Sequence, residues 1–266
     1  MARIQRNPNH TEQSYEDTMQ RRADIYNNEV GELVGYDCAI CKNKGLIAVI
    51  VDGYEAMKEC KCMETRMAMQ RLAKSGLAEL LDECTFDNFI TSEDWQRKIK
   101  ATVELFTTNE PQSKSAWLYV GGQVGAGKTH LCTASVGKYL ESGKSARYML
   151  WRDESVSLKA IVNDDEAYAS AINPLKTAEV LYIDDFFKTE RGKSPTTADI
   201  NLAFELLNYR YNNRSLVTII SSEWLIEDLI DFDEAVGSRI YQRSKGYCVQ
   251  IGRARNKNYR LHGSTE

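Results

Sequence analysis

A glycine-rich loop between a short apolar run and a helical pattern constrains this 266-residue chain more than any other feature. Residues 117–120 are apolar and predict a buried strand, and residues 131–140 have the apolar spacing of a helix. Between them, residues 122–129 match the pattern G-x-x-x-x-G-K-T at every fixed position. Because strand, loop and helix occur in the order that this pattern requires, we predict a P-loop in an α/β fold. A glycine-rich turn that binds nothing is the alternative.

The residues of this loop suit a polyphosphate. Glycines let the backbone wrap closely around the phosphates and direct N–H groups at them, and the following helix turns its positive end toward the charge. Lys128 is expected to reach the β- and γ-phosphates, and the Thr129 hydroxyl to hold Mg²⁺. The predicted nucleotide-binding residues are Gly122, Gln123, Val124, Gly125, Ala126, Gly127, Lys128, Thr129 and His130.

A second acidic motif follows a buried strand further along the chain. Residues 178–183 are largely apolar and lead directly into Asp184 and Asp185. This is the Walker B arrangement, in which the first acid holds the Mg²⁺ water shell beside the P-loop. We assign Asp184 to Mg²⁺ and Asp185 to the attacking water, where many such ATPases have Glu. Because Asp is one methylene shorter, hydrolysis is expected to be slow. A surface Asp pair after a strand is the alternative.

Four of the seven cysteines form two close pairs, Cys38 with Cys41 and Cys60 with Cys62. Residues 45–58 between the pairs read as a hairpin, which would bring the pairs together. Four thiolates complete a tetrahedral Zn²⁺ site with no open position, so the predicted site is structural. The tight Cys-x-Cys spacing weakens this match slightly, and reduced core cysteines or an iron–sulfur cluster are the alternatives.

Bulk composition restricts the class of protein. Apolar residues make up 42% of the chain and charged residues 27%, as in ordinary globular proteins. No apolar run reaches the length of a membrane span, and the polar N-terminus lacks the apolar core of a secretory signal, so we expect a cytoplasmic protein. The net charge of −4 argues against a surface built for non-specific DNA binding, but it does not exclude a local basic groove.

The remaining N-terminal pattern predicts helices. Met19, Ala23, Tyr26 and Val30 have helical spacing within residues 13–34. A second helix is predicted over residues 63–81, with Gly76 as a point where it could break, and we place a domain boundary near residue 80. The domains are then 1–80 and 81–266.

Residues 84–89 precede another helix, predicted at 92–107. Their aromatic residues, Phe86 and Phe89, could pack on the sheet or line a nucleotide base, and packing is favoured.

The C-terminal half alternates predicted strands and helices. Pro174 is expected to end the helical region 152–172, and Thr197 or Asp199 to cap the next helix, which runs to residue 212. The other expected elements are strands at 146–151, 215–220 and 247–251, and short helices at 225–230 and 233–236.

The ordered motifs resemble those of the DnaC/DnaI-type replicative helicase loaders, above all phage-encoded ones. These loaders are related to the ATP-binding subunits of IstB-type transposition systems. The segments that carry the resemblance are TFDNF at 85–89, the P-loop at 122–129, IDDF at 183–186, NYRY at 208–211, IISSE at 219–223 and GSR at 237–239. The similarity covers about residues 84–260, and the cysteine pairs look like the zinc-bearing N-terminal module of DnaI-type loaders.

The resemblance implies an AAA+ fold, a parallel central sheet flanked by helices and preceded by a small zinc-binding domain. In that family each active site lies between stacked subunits. Arg239, in its Gly-Ser-Arg setting, then matches the arginine finger that reaches a neighbour's γ-phosphate. Ser222 or Glu223 would be the sensor-1 residue, where the family usually has Asn. Arg255 or Arg260 would be the sensor-2 arginine.

The resemblance further implies an ATPase that binds the hexameric replicative helicase, assembles into a ring or spiral and engages single-stranded DNA. Turnover would be slow and stimulated by DNA or the partner. The candidate DNA-contacting residues are Lys188, Arg191, Lys193, Arg243 and Lys245. Two other hypotheses stay open. One is an IstB-like regulator of transposition or target DNA delivery, and the other is a small nucleotide kinase. The cysteine module argues against the first.

Overall fold

The computed structural model describes residues 9–74, 77–109, 117–190 and 193–261. Its elements, in chain order, are α1 Asn9–Asn28, β1 Leu46–Val51, β2 Tyr54–Glu59, α2 Cys62–Lys74, α3 Leu77–Glu83, α4 Asp94–Asn109, β3 Trp117–Gly122, α5 Lys128–Glu141, β4 Ala146–Leu150, α6 Trp151–Ala160, α7 Asp165–Thr177, β5 Val180–Asp184, α8 Thr197–Asn212, β6 Val217–Ser222, α9 Ile226–Phe232, α10 Glu234–Arg243 and β7 Cys248–Ile251, with 3₁₀ turns Arg255–Lys257 and Tyr259–Leu261. The chain divides into two compact units, residues 1–67 (the N-terminal unit) and 68–266 (the C-terminal unit). The proposed boundary near residue 80 stays a proposal.

The N-terminal unit is built on an antiparallel β1–β2 hairpin, as the sequence predicts. Asp52 and Gly53 both have positive φ, 51° and 80°, which suits the two-residue turn that joins such strands. Helix α1 is fixed to this hairpin by the Asn27 amide. Its Nδ2 donates to the Ala48 carbonyl at 2.8 Å, and its Oδ1 accepts from the Ala48 N–H at 2.9 Å. The Asn27 side chain therefore extends the β-ladder of the edge strand β1.

The C-terminal unit has a five-stranded parallel sheet with the order β4-β5-β6-β3-β7. Strands β3, β5 and β6 are buried along their whole length, as expected for a parallel sheet covered on both faces. Alternate residues of β3 enter two separate cores: Leu118 and Val120 join one, and Trp117 and Tyr119 join the other. The predicted α/β class with a parallel central sheet is confirmed.

Two helix boundaries differ from the sequence-based prediction in the N-terminal half. The helix predicted over 13–34 ends at Asn28. Apolar spacing continues to Val30, but a Cβ on Gly31 would lie 2.4 Å from the Asn43 carbonyl oxygen, so the chain turns there to meet the loop. The helix predicted over 63–81 is two helices, Cys62–Lys74 and Leu77–Glu83, and residues 75–76 with the proposed break at Gly76 lie outside the described residues.

Three predictions in the C-terminal half are corrected. Thr196, not Thr197 or Asp199, is the N-cap of α8; its hydroxyl accepts from the Asp199 N–H, while the Asp199 carboxylate binds back to Thr196 in a capping box. Pro174 lies inside α7, which continues to Thr177. Helix α10 is longer than the predicted 233–236 and includes Arg239.

A fully buried arginine binds the carbonyls at the C-terminal end of α7. Arg210 of α8 donates Nη1 to the carbonyls of Leu175, Lys176 and Ala178 at 3.0, 3.0 and 2.9 Å. Its Nε donates to Thr218 of β6 at 2.9 Å. The guanidinium thus satisfies the last carbonyls of α7, which would otherwise lack donors. Burial lowers the pKa of Arg210 to about 9.

We expect Arg210→Met to lower the free energy of unfolding by roughly 3 kcal/mol, because several buried carbonyls would lose their donor at once. Chemical denaturation of the full chain, followed by circular dichroism, measures this loss. Arg214→Met is the matched control, since Arg214 is exposed at the end of the same helical region. Equal stability of the two variants would contradict the structural role of Arg210.

Among the described residues, no helix combines the length and apolarity that crossing a membrane requires.

Candidate functional site

A cavity of about 330 Å³ opens at the carboxyl edge of the parallel sheet, where the P-loop follows β3. Ligands of open α/β sheets bind at this edge, because the loops and helix N-termini converge there. The lining combines the P-loop with residues that follow β5 and β6 and with two more distant segments. Its members are Asn88, Phe89, Ile90, Gln96, Val124, Gly125, Ala126, Gly127, Lys128, Thr129, His130, Asp185, Lys188, Glu223, Tyr259 and Arg260.

The P-loop has the backbone of a phosphate cradle. Gly125 and Gly127 have φ of 72° and 82°, a region that other residues adopt only with strain. Lys128 is buried, and its Nζ donates to the carbonyls of Gly122 and Gln123, both at 2.9 Å. Burial lowers the pKa of Lys128, partly offset by the nearby acids Glu223 and Asp185. A polyphosphate in this cradle would therefore stabilise the charged form of Lys128.

Phe89 packs against the P-loop and also faces the cavity. Its ring meets His130 edge-to-face, with centroids 5.3 Å apart, and a Cβ on Gly127 would lie 2.6 Å from the same ring. His130 Nε2 lies 2.7 Å from the Thr85 carbonyl oxygen. Phe86, by contrast, is buried in the core with α4 and α5. The two aromatic residues therefore have different positions. Phe86 packs in the core, whereas Phe89 packs against the P-loop and also lines the cavity.

The predicted magnesium pair is brought together across the sheet edge. The Thr129 hydroxyl donates to Asp184 Oδ1 over 3.4 Å. Asp184 is buried and also accepts from the Tyr148 hydroxyl at 3.2 Å. Burial and the Asp184 charge raise the pKa of Tyr148, which keeps its proton for this hydrogen bond. Thr129 and Asp184 therefore present oxygen atoms at one point, as a Mg²⁺ site requires.

The serine that contacts Asp184 is Ser221, which the sequence analysis did not single out. Its hydroxyl donates to Asp184 Oδ1 and accepts from the Asp185 N–H at 3.2 Å. Ser222 instead donates to the Phe186 carbonyl at 2.7 Å and accepts from the Trp224 N–H at 3.2 Å. The pairing of Ile183 with Ile220 brings Ser221 beside Asp184. This register is a property of the folded sheet, so the serine motif alone could not identify it.

Three charged side chains close one end of the cavity. Lys188 forms ion pairs with Glu223 and with Asp185, the latter at 3.4 Å. Burial raises the pKa of Asp185; Lys188 opposes that shift, and Asp184 and Glu223 reinforce it. Glu223 thus lies in the cavity and forms an ion pair with Lys188. Asp185, the residue predicted to orient water, pairs with the same lysine.

The C-terminal segment forms a wall of the cavity that no sequence motif indicated. The Ala254 N–H donates to Gln123 Oε1 at 3.0 Å, and the Tyr259 N–H donates to the Gly125 carbonyl at 2.8 Å. A Cβ on Gly125 would lie 2.0 Å from Asn258 Oδ1, so the segment sits directly on the P-loop. Of the two candidate sensor-2 residues, Arg260 lines the cavity and Arg255 does not.

Arg239 lies away from its own chain's cavity lining. Its guanidinium donates to Asn208 Oδ1 at 3.2 Å and to the Ala235 carbonyl at 2.7 Å, and it lies over the Phe204 and Tyr211 rings. The preceding Gly237 has a packing role, since a Cβ there would lie 2.6 Å from the Ile230 nitrogen.

The candidate DNA-contacting residues are not equivalent. Lys188 faces the cavity, and Arg243 is buried with only 5% of its surface exposed, so neither lies in a surface groove and the prediction for Arg243 is corrected. Lys193 pairs with Glu190 at 2.6 Å, with both side chains largely exposed. Lys245 is exposed, and Arg191 lies outside the described residues.

The four predicted metal ligands converge in the N-terminal unit. The Sγ atoms of Cys38, Cys41, Cys60 and Cys62 all lie within 4.8 Å of one another, and all four residues are buried. Contacts of 3.8 and 3.4 Å join Cys38 to Cys60 and Cys41 to Cys62. Tetrahedral zinc with Zn–S bonds of about 2.3 Å separates its ligands by about 3.8 Å, so the cluster fits a zinc site.

The environment of the cluster also suits a cation. Burial opposes the thiolate of Cys41, but the Gly45 N–H and the neighbouring thiols lower its pKa to about 6. Burial and the Cys41 thiol raise the pKa of Cys62 to about 12. Four thiolates this close would repel one another strongly without a metal. Arg66 supports the surrounding loop by donating to the carbonyls of Val34 and Tyr36 at 2.6 and 2.5 Å.

Comparison with known proteins places the chain among bacterial replication ATPases. Residues 80–245, more than half of the chain, match the model of the bacterial DnaA ATPase domain. The phage-like element PBSX protein XkdC of Bacillus subtilis (strain 168) is 34% identical over 86% of this chain and 87% of its own length. A replicative helicase loader DnaC of Buchnera aphidicola subsp. Baizongia pistaciae is 28% identical over 45% of this chain and 49% of its own length.

A solved structure of the replication initiator DnaA, bound to AMPPCP and single-stranded DNA, matches the fold with a TM-score of 0.53 and 20% identity, over 66% of this chain and 51% of that one. The expected AAA+ fold is confirmed by these matches, and the phage-element relative fits the expected phage origin. The chain belongs to the bacterial DnaA ATPase domain family, and its relatives include a phage-element protein and DnaC replicative helicase loaders.

Proposed function

We propose that this protein is an ATP-dependent loader that binds the hexameric replicative helicase and places it on single-stranded DNA. One observation carries the proposal: a nucleotide cradle with converged Thr129 and Asp184 occurs in one chain with a buried four-cysteine cluster. An ATPase domain alone fits many motors, but the added cysteine module resembles the adaptor of DnaI-type loaders. The DnaC relatives, which match 49% of their own length, carry the name of replicative helicase loader.

The nucleotide site is proposed to work through positioning and charge. Lys128 would leave the Gly122 and Gln123 carbonyls to bind the β- and γ-phosphates, and residues 122–130 would enclose them. Thr129 and Asp184 would hold Mg²⁺. When bound, Mg²⁺ supplies positive charge to the phosphate oxygens. Asp185 would orient the attacking water, and its ion pair with Lys188 agrees with slow turnover that DNA or a partner stimulates.

Arg239 is proposed to complete the site of a neighbouring subunit. It does not line its own cavity, yet its guanidinium is held by Asn208 and stacked on Phe204 and Tyr211. Such support presents an arginine in a fixed direction, as a finger that stabilises transition-state charge requires. The subunits would then assemble in a ring or spiral. In this arrangement Ser221, through its contact with Asp184, is a better candidate than Ser222 for sensing the nucleotide state.

Zinc in the four-cysteine cluster is proposed to shape the surface that binds the helicase. The N-terminal unit exposes several apolar side chains, and apolar side chains that share one exposed patch are typical of interaction sites. The most exposed are Ile25, Val30, Val34, Ile40 and Tyr54, with 63–89% of their surface accessible. Single-stranded DNA would be held by basic residues outside the cavity, with Lys193 and Lys245 as the exposed candidates.

Co-purification with the replicative helicase of the host tests this function. We expect the full chain to bind the helicase and to increase the fraction loaded on single-stranded DNA when ATP is present. Val34→Asp with Ile40→Asp should abolish helicase binding while ATP turnover is kept. Val156→Asp, also an exposed apolar residue but in the C-terminal unit, is the control. Binding to a transposase and not to the helicase would favour the IstB-like alternative.

A further inference from the structure

Lys188 of the C-terminal unit lies inside the nucleotide cavity. Its position in a basic loop had suggested a surface residue that contacts DNA. Lys188 lines the same cavity as Lys128, Thr129, Asp185 and Glu223. Its ammonium group is shared between the Glu223 and Asp185 carboxylates. Glu223 follows β6 and Asp185 follows β5, at the same edge of the sheet where the P-loop follows β3. Lys188 therefore lies at the end of the cavity where a γ-phosphate would bind.

The backbone that leads to Lys188 is strained and is held by hydrogen bonds. Asp185 and Phe187 have φ of 52° and 57°, which costs free energy for residues other than glycine. The turn is nevertheless anchored on both sides. The Phe186 N–H donates to the Ser221 carbonyl at 2.8 Å, and Trp224 Nε1 donates to the Phe187 carbonyl at 2.9 Å. A strained backbone that its neighbours hold in place indicates that the Lys188 side chain is positioned and is not that of a solvated loop residue.

Charge balance shows why a cation is needed here. Glu223 stands at the end of β6, where an uncompensated carboxylate would repel the triphosphate. Lys188 neutralises Glu223 and keeps one N–H donor for a phosphate oxygen, since an ammonium group has three and the Glu223 and Asp185 carboxylates accept two. Although burial opposes its charge, the hydrogen bond to Glu223 and the Asp185 charge raise the pKa of Lys188, so it stays cationic.

We propose that Lys188 binds the γ-phosphate within its own chain and so lets the site distinguish a triphosphate from a diphosphate, with Glu223 as its positioning residue. This inference rests on the proposed ATPase function. It assigns Lys188 to the nucleotide site, whereas the basic loop that contains Lys188 had suggested a contact with DNA. It also gives a role to Glu223, which stands where the family usually has an uncharged side chain.

Binding of Mg²⁺ with AMPPCP and with ADP, measured by calorimetry on the full chain, tests the proposal. Lys188→Gln should weaken AMPPCP binding about tenfold while ADP binding changes by less than about twofold, because one charge-assisted contact to the γ-phosphate is lost. Lys188→Arg should keep most of the preference. Glu223→Gln should lower the ratio of AMPPCP to ADP affinity by less than Lys188→Gln does, since Lys188 keeps its charge but loses the ion pair that positions it.

Lys138→Gln is the matched control, because Lys138 also pairs with a glutamate, Glu141 at 2.7 Å, on the exposed side of α5. Both nucleotides should bind this variant normally. Unchanged ADP binding by Lys188→Gln shows that its site is folded. An unaltered ratio of AMPPCP to ADP affinity in Lys188→Gln would overturn the proposal, and a loss of DNA affinity instead would make Lys188 a DNA contact. If the natural chain bound neither nucleotide, the proposed ATPase function itself would fail.

Discussion

Lys128→Ala is expected to weaken ATP binding by about a hundredfold or more, because the buried cradle would lose the cation that faces the β- and γ-phosphates. No other residue of the loop 122–129 is a cation, and its glycines offer only backbone N–H groups. Lys188 lies outside this loop, and its proposed contact is with the γ-phosphate alone. Equilibrium binding of a fluorescent ATP analogue measures the loss. ATP turnover should disappear at the same time.

Lys138→Ala is the control for this substitution, since it removes an exposed lysine from the same helix, α5. It should bind ATP as the natural chain does. The Lys128→Ala variant should fold, because within the described part of the chain the hydrogen bonds of Nζ go to the Gly122 and Gln123 carbonyls alone. Normal ATP binding by a folded Lys128→Ala variant would refute the assignment of the P-loop.

Removal of zinc is expected to unfold the N-terminal unit. The four cysteines form a buried cluster in this unit, with Tyr36, Ile47 and Met63 packed against it. Small units have small hydrophobic cores, and a metal or crosslinks commonly stabilise them. Structural zinc contributes about 10–16 kcal/mol to zinc-finger peptides, which is comparable to the stability of about 5–15 kcal/mol of a whole domain.

Metal analysis of the full chain should therefore find about one zinc per molecule, and Cys41→Ser should lower that content sharply. Limited proteolysis of this variant should cleave within residues 1–67, while ATP binding by the C-terminal unit persists. Cys84→Ser, which changes a half-buried cysteine outside the cluster, should retain the metal. A metal-free chain whose N-terminal unit resists proteolysis would end the zinc proposal.

The parts that sequence predicted well are those that local chemistry determines. The P-loop needs glycines at fixed backbone positions, so its pattern is visible in a single chain, and Gly125 and Gly127 have the required positive φ. The pairing of Thr129 with Asp184 followed from the P-loop and Walker B motifs, because residues that follow parallel strands of one sheet share its carboxyl edge, although β6 lies between β3 and β5. The convergence of the cysteines followed from the hairpin between them.

The parts that sequence reasoning missed depend on long-range register and packing. Ser221 contacts Asp184 because of the β5–β6 register, which no motif encodes. The C-terminal segment sits on Gly125 through Asn258 and Tyr259, which carry no pattern of their own. Pro174 was expected to end a helix, but Arg210, more than thirty residues later, satisfies the carbonyls that follow it. In each case the deciding partner is distant in the chain.

A structure of the chain with Mg²⁺ and a non-hydrolysable ATP analogue tests the central claim most directly. We predict phosphate oxygens within about 3 Å of Lys128 Nζ. The metal should be bound by the Thr129 hydroxyl, with Asp184 in its water shell. A cradle that stays empty at saturating analogue, with the Thr129 and Asp184 side chains turned apart, would contradict the ATPase assignment and the loader function that depends on it.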